Sequence, residues 1–217
     1  MPTKLPLSET RFQPPPWKST FPAVILDEFL VVEEWRGLLK YTLSREGQFS
    51  RSEVVGADGK TSLDTSYRRS RVLFDLSFFS ALFRQRLLTF LPYLLARLGV
   101  KPFPVSDVEI QLTGTNHGEF FRVHSDNDAK NSIGRQLTFV YFFFREPRRF
   151  SGGDLRIYNT PWPHDASGRN PWFRTVYPRQ NQVVVFPSSY MHEILPVNCP
   201  SRQFANSRFT VNGWLHR

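Results

Sequence analysis

Two periodicities divide the chain. From Phe21 to about residue 104 apolar positions recur at helical spacing, and from Val105 onward they fall into short, strand-like runs. In the first part, PAVILDEF reads as a short strand leading to a helix start at Asp27 or Glu28, with VVEEWRGLLKYTL as the helix. Residues 50–66 are polar, carry Gly56 and Gly59, and read as a loop or hairpin. SFFSALFRQRLLTFLPYLLARLGV predicts a buried helix or helix pair, bent near Pro92 and ended by Gly99. Eight runs follow: VEIQLTG, EFFRVH, QLTFVYFFF, DLRIYN, FRTVYP, QVVVFP, EILPV and SRFTVNGW. Turn chemistry such as Asn-His-Gly, Ser-Gly-Gly and Pro-Arg-Gln-Asn separates many of them. A helical layer followed by short strands predicts an α+β fold with a mainly β core. The expected architecture is a double-stranded β-helix (jelly roll, cupin-like) backed by N-terminal helices.

The pattern within two runs sharpens this. In RFTVNGWL, alternation puts Arg208, Thr210, Asn212 and Trp214 on one face and Phe209, Val211 and Leu215 on the other. Such a strand needs a packed layer behind it and a wet pocket in front. LTFVYFFF is apolar on both faces and reads as a central strand.

Composition agrees with a packed core. The chain has 217 residues, 40% hydrophobic and 22% charged, with 21 Phe, 7 Tyr and 5 Trp, which excludes intrinsic disorder for most of its length. Residues 1–20, with Pro2, Pro6, Pro14, Pro15 and Pro16, read as an extended arm without signal-peptide character. Residues 21–217 read as one domain, a helical layer to about 104 and the jelly roll beyond. Arg84, Arg86, Arg97 and Pro92 interrupt the longest apolar stretch, so no membrane span is expected. The single cysteine, Cys199, rules out an intrachain disulfide and suits a cytoplasmic location. Lys plus Arg exceed Asp plus Glu by 28 − 19 = +9. With no Cys/His finger, RNA-recognition signature or Lys-rich tail, that excess reads as a generic basic surface, not a nucleic-acid site.

Chemistry concentrates around two of the five histidines, His124 and His192, while His117, in TNHGE, reads as a turn residue. His124 ends EFFRVH and is followed at two residues by Asp126, so on an extended chain both side chains point the same way. His192 begins another strand-like run. Two imidazoles and one carboxylate on one face of an ion leave its other positions open, which suits ferrous iron. Taken alone, His-x-Asp is common, and His124 reads first as a surface or helix-capping histidine; the set of His124, Asp126, a distant His192 and a basic pocket-facing strand changes that reading.

Taken together, FFRVHSDN, RQLTFVYFFF, FSGGDLRIYN, VVVFPSSYMHEILPV and SRFTVNGWLHR, spanning roughly Val105–Arg217, make the text recognisable. This half resembles the prolyl-hydroxylase-like branch of the iron(II)/2-oxoglutarate-dependent dioxygenases. The resemblance implies His124, Asp126 and His192 as iron ligands, Fe(II), 2-oxoglutarate and O2 as reactants, and ascorbate as reductant. It implies hydroxylation of an unactivated C–H bond with release of succinate and CO2, most naturally on a prolyl residue of a protein or peptide. A free amino acid or small metabolite is the alternative substrate, and the oligomeric state is left open.

It also implies a basic residue on the last core strand that pairs with the far carboxylate of 2-oxoglutarate. Arg202 and Arg208 compete. Arg208 is followed by Trp214 at the family's spacing, whereas Arg202 falls in the polar connection NCPSRQFANS, so Arg208 is assigned the clamp. Relatives place Tyr hydroxyls where this chain has Phe121 and Phe142. Thr138, Thr210 and Asn212 are the replacement contacts to the cosubstrate, while Tyr141 should face the other way. Asn116, His117, Phe121 and Trp214 are candidate substrate contacts. Tyr67, Arg68, Arg69 and Arg71 read as a solvated loop in preference to a groove lining, and the insert between Asn159 and Thr175, with Trp162 and Trp172, as a specificity loop.

Two other classes remain: a non-catalytic binding or sensing module, and a zinc hydrolase using the same three residues with Asp128 or Glu193 as base. Arg208→Ala should raise the half-saturating 2-oxoglutarate concentration far more than Arg202→Ala, measured by succinate release; the opposite ranking reassigns the clamp.

Overall fold

The computed structural model describes residues 23–55, 61–127, 132–158 and 173–217. In chain order the elements are β1 (Val24–Leu26), α1 (Val32–Ser44), β2 (Ser50–Arg51), β3 (Val54–Val55), β4 (Thr61–Ser62), β5 (Arg68–Arg69) and β6 (Arg71–Leu73). Then come α2 (Phe78–Leu98), β7 (Asp107–Thr115), β8 (Phe120–His124), β9 (Arg135–Phe143), β10 (Ser151–Gly152) and β11 (Leu155–Tyr158). The chain closes with β12 (Phe173–Val176), β13 (Gln182–Pro187), β14 (His192–Ile194), β15 (Val197–Asn198) and β16 (Arg208–His216). The proline-rich arm at residues 1–20 lies outside the described residues, as do Trp162, Trp172 and Asp128.

Two antiparallel sheets form a jelly-roll β-sandwich. The larger has seven strands in the order β1-β13-β9-β16-β7-β6-β2, and the smaller has five, β12-β11-β14-β8-β5. Each of the eight strand-like runs after Pro104 is a strand here, and EILPV supplies both β14 and β15. On β16 the alternation holds: Phe209, Val211 and Leu215 join the core beneath α2, with Phe79, Phe83, Leu87 and Leu94. β9 is interior, between β13 and β16. Phe139 and Tyr141 on its helix side meet Phe83, at ring distances of 6.3 and 5.1 Å. On its other side Val140 and Phe142 pack between the sheets with Leu155, Ile157 and Phe186. Burial on both faces is why that run carries no polar alternation.

α2 is one continuous helix with Pro92 inside it and Gly99 in the left-handed conformation at its end (φ +66°). Among the described residues no helix is long and apolar enough to cross a membrane. α1 starts later than the sequence predicts. Glu34 accepts a hydrogen bond from the Val31 N–H at 2.9 Å, so the helix begins at Val32, while Asp27 accepts from the Gln182 side chain at 2.7 Å. A second correction concerns Arg68 and Arg69. They form β5, paired with Phe121 and Phe120 of β8, and are not a solvated loop.

One buried side chain ties the N-terminal segment to the large sheet. Asn181, at φ +57°, accepts from Leu30 N and from the Tyr141 hydroxyl, each at 2.9 Å, and donates to Leu30 O at 2.7 Å. Removing its amide strands three buried polar groups, a cost of about 3 kcal/mol. Asn181→Ala should lower the thermal midpoint by roughly 6–12 °C, followed by circular dichroism; a shift of only a degree or two would mean that water replaces the amide.

Candidate active site

The small sheet supplies the chemistry. His124 ends β8 and His192 begins β14, and the two strands pair so that His192 lies directly opposite His124. Asp126 follows two residues after His124, and its backbone N–H donates to Ser188 O at 2.9 Å, which pins the turn. One ligand atom from each of the three lies within 4.8 Å of the others. His124 Nε2 is 3.6 Å from Asp126 Oδ1, and His192 Nε2 is 3.3 Å from Asp126 Oδ2. His124 Nδ1 is 2.7 Å from Arg122 O and His192 Nδ1 is 3.0 Å from Tyr190 O. Placing each ring proton on Nδ1 satisfies those carbonyls and turns both Nε2 lone pairs toward the carboxylate.

Three electron-rich atoms facing one point call for a cation. A metal bound at about 2.0–2.2 Å spaces neighbouring ligand atoms by about 3 Å, close to the separations seen. The charges fit as well. Burial works to raise the Asp126 pKa, yet His192, then His124, hold the carboxyl well below the usual range. Burial and then His192 push His124 down to about 3, so its imidazole is neutral. The His192 pKa is raised, because Asp126 outweighs the opposing effect of burial. The Thr138 hydroxyl donates to Asp126 Oδ2 at 2.7 Å. Its one proton is thereby committed to the carboxylate, while the residue still lines the cavity.

These residues open onto a cavity of about 680 Å³ between the sheets. From the opposite wall Arg208, Thr210, Asn212 and Trp214 of β16 all face it, as alternation requires. Arg208 is only 2% exposed, and its Nε and Nη2 have no hydrogen-bond partner among the described residues. Its guanidinium lies 4.9 Å over the Phe142 ring. Burial pushes its pKa down to about 9, opposed by Asp154. A buried cation with idle donors fits an anion that shares the cavity, as a dicarboxylate's far end would. Gly153 makes room for it: at φ +69°, a Cβ there would stand 2.6 Å from Arg208 Cδ. Arg202, by contrast, is exposed, at φ +54° in a turn, and does not line the cavity. Asn212 Oδ1 accepts from the Thr113 hydroxyl at 2.8 Å and has Thr210 Oγ1 at 3.4 Å.

Phe121 lines the cavity and stacks on His124, ring centroids 3.6 Å apart at 20°. Trp214 lines it too, under the Arg135 guanidinium at 3.6 Å. Its indole N–H lacks a partner of ordinary geometry among the described residues, yet it adds to the forces keeping Asp126 ionised. Two expected contacts fall elsewhere. Asn116 is buried, donates to Ser207 Oγ at 2.7 Å and Gln203 O at 3.0 Å, and accepts from His117 N. His117 Nδ1 accepts from Cys199 N at 3.2 Å. Neither lines the cavity, because their polar atoms close the Asn-His-Gly turn instead. Glu193 pairs with Arg156 and accepts from the Tyr158 hydroxyl at 2.6 Å, so it is not a free base beside His192.

Sequence reasoning missed Arg135 and undervalued Arg68. Arg135 grips Glu109 through three hydrogen bonds of 2.8, 2.9 and 3.2 Å and donates to Asp126 O at 3.3 Å. Nothing local in the sequence marks it, since Glu109 lies on a different strand. Arg68 and Tyr67 line the cavity beside Phe121. Burial lowers the Arg68 pKa to about 10, opposed by Asp126. A strand too short to show a period hid Arg68.

Comparison with known proteins gives the same picture. Residues 110–216 match the 2OG-Fe(II) oxygenase superfamily. An uncharacterized PKHD-type hydroxylase of Synechocystis sp. is 38% identical over 194 residues, 88% of this chain and 62% of that relative. The chain thus spans less than two thirds of that relative's length. A Pseudomonas putida prolyl-4-hydroxylase shares the fold at TM-score 0.63 and 20% identity, over 90% of this chain and 93% of that one. A Trichoplax adhaerens prolyl hydroxylase, solved with a hypoxia inducible factor oxygen degradation domain peptide fragment, also gives TM-score 0.63, at 16% identity over 90% and 83% of the two chains. Residues 110–216 thus form a domain of the 2OG-Fe(II) oxygenase superfamily.

Proposed function

We propose that this protein is an iron(II)- and 2-oxoglutarate-dependent hydroxylase acting on a C–H bond, with a prolyl residue of a peptide or protein as the leading substrate. The observation that carries the reading is the buried convergence of His124, Asp126 and His192 on a cavity whose far wall holds the unpaired Arg208. When bound, iron and 2-oxoglutarate supply the oxidising chemistry, consuming O2 and releasing succinate and CO2. Ascorbate serves as external reductant.

The chain's own residues bind, orient and exclude water. His124 and His192 present their Nε2 atoms because the backbone carbonyls of Arg122 and Tyr190 fix their rings. Asp126 provides the one negative ligand and stays ionised, with Thr138 holding one of its oxygens. A carboxylate at this position occupies the place that a halide would need, which favours hydroxylation. Arg208 receives the far carboxylate of 2-oxoglutarate through its idle donors, and Thr210 and Asn212 flank it on the same face. Phe121 and Phe186 pack against the two imidazoles, at 3.6 and 4.8 Å between ring centroids, and keep water from their sides. Proline as the substrate draws support from the solved prolyl hydroxylases that share the fold. A free amino acid or small metabolite is the alternative substrate.

Asp126→Ala should abolish iron retention, read by anaerobic iron titration, and bring 2-oxoglutarate-dependent succinate release to background. Retained iron and succinate formation in that variant would sink the reading. Gly153→Ala should displace Arg208 and raise the half-saturating 2-oxoglutarate concentration about tenfold or more. Its control is Gly152→Ala, which carries the same backbone strain (φ +68°) but would meet Pro196 O, not Arg208. Equal effects of the two on 2-oxoglutarate would show that only the turn matters.

A further inference from the structure

A second guanidinium in the cavity makes no ion pair among the described residues, and only the charge of Asp126, already faced by two histidines, acts on it. Arg68 of β5 lines the same cavity as Arg208, from the other sheet. Its Nε donates to Ser70 Oγ at 3.2 Å and one terminal nitrogen donates to Glu53 O at 3.3 Å. Both acceptors are neutral, and they use two of the five donors a guanidinium carries. The remaining face lies 4.6 Å over the Phe121 ring, and Phe121 in turn stacks on His124. The cation is therefore held by an aromatic layer one ring away from an imidazole of the triad.

The acids that line the cavity are accounted for. Glu109 is taken by Arg135 at 2.8 Å and His216 at 3.2 Å. Asp126 faces the two histidines. Glu53 gives Arg68 its backbone carbonyl, while its exposed carboxylate makes no ion pair among the described residues. Arg68 likewise has no acidic partner within 4.0 Å among the described residues. Outside the mouth, Arg69 and Arg122 stand over Phe120 at 4.7 and 5.1 Å and extend the positive field along the same edge.

We propose that Arg68 is the substrate-recognition residue of this site: it receives a carboxylate of the molecule to be hydroxylated, so the substrate is an acid. The inference rests on the oxygenase reading, with Arg208 reserved for the cosubstrate. A carboxylate can come from two sources, the α-carboxylate of a free amino acid or an Asp or Glu side chain of a proline-containing peptide. Both offer the planar pair of acceptors that a guanidinium fork grips. Replacing either by its amide removes the charge and one acceptor at nearly constant shape.

The test uses the full chain with iron(II), 2-oxoglutarate and ascorbate. Two matched arms are presented: free L-proline with L-prolinamide, and Pro-containing hexapeptides bearing Asp or Glu with their Asn or Gln counterparts. Gain of one oxygen is read by mass spectrometry, and succinate is measured in parallel. The wild-type protein should oxygenate the acid form at least about tenfold better than the amide in one arm, which also names the source. Arg68→Gln should erase that preference, and Arg68→Glu should reverse it toward Lys- or Arg-bearing peptides. Equal use of acid and amide by the wild type overturns the proposal, as does a preference that survives in Arg68→Gln. So does succinate release by the wild type with no oxygenated member in either arm. A raised 2-oxoglutarate requirement in Arg68→Gln with the acid preference intact reassigns Arg68 to the cosubstrate. Failure of the wild type both to retain iron and to release succinate defeats the oxygenase reading itself, a separate outcome.

Discussion

The antiparallel register that sets His192 opposite His124 is the constraint on which the site depends. Direct cross-strand neighbours are within side-chain reach, and Asp126 enters the same space because its backbone is tied to Ser188. The rings then have little freedom: each Nδ1 faces a main-chain carbonyl, and aromatic neighbours close the sides. A slip of the register by one residue would send the imidazole at 192 to the other face of the sheet. The β-bulge between His192 and Ile194 marks where the pairing changes step just beyond the site.

The large sheet answers a different problem, that of keeping cationic groups inside a protein. β16 has one face in the core beneath α2, and burial of Phe209, Val211 and Leu215 there holds the strand whatever its other face does. That other face carries Arg208 with two idle donors. A buried cation without a partner costs several kcal/mol, so the arrangement stores a preference for an anionic ligand in the free protein. Gly153, without a side chain, leaves the space in which Arg208 lies. Arg68, half-buried on the opposite sheet and hydrogen-bonded only to neutral oxygens, lies over the Phe121 ring. Two guanidinium groups thus line one cavity from two different sheets.

The boundary of legibility follows from the range of each interaction. Alternation on β16 was readable because the strand is nine residues long and its two faces differ in polarity. The same rule gave the opposed directions of Tyr141 and Phe142. It failed for Arg68, whose strand has two residues and shows no period at all. It also failed for Asn116 and His117, where proximity in sequence to a strand end suggested a mouth residue. Their polar atoms instead satisfy one another, Ser207, Gln203 and Cys199, because a buried turn must hydrogen-bond its own groups. Arg135 was invisible for a simpler reason: its partners Glu109, Trp214 and the Asp126 carbonyl are assembled from three separate segments.

By itself the sequence determined the strand and helix periodicities, the two-faced character of β16, and the pairing of His124 with Asp126 at a strand end, all of which depend on neighbours a few residues apart. The resemblance of its second half then named a third residue, His192, that no local rule links to the other two. Only the tertiary structure decided that His192 reaches them, that Arg208 and not Arg202 lies inside, and that Thr138 is spent on Asp126. Those outcomes turn on which strands pair and in what register, and pairing is fixed by packing across the whole sandwich, not by any short stretch of chain.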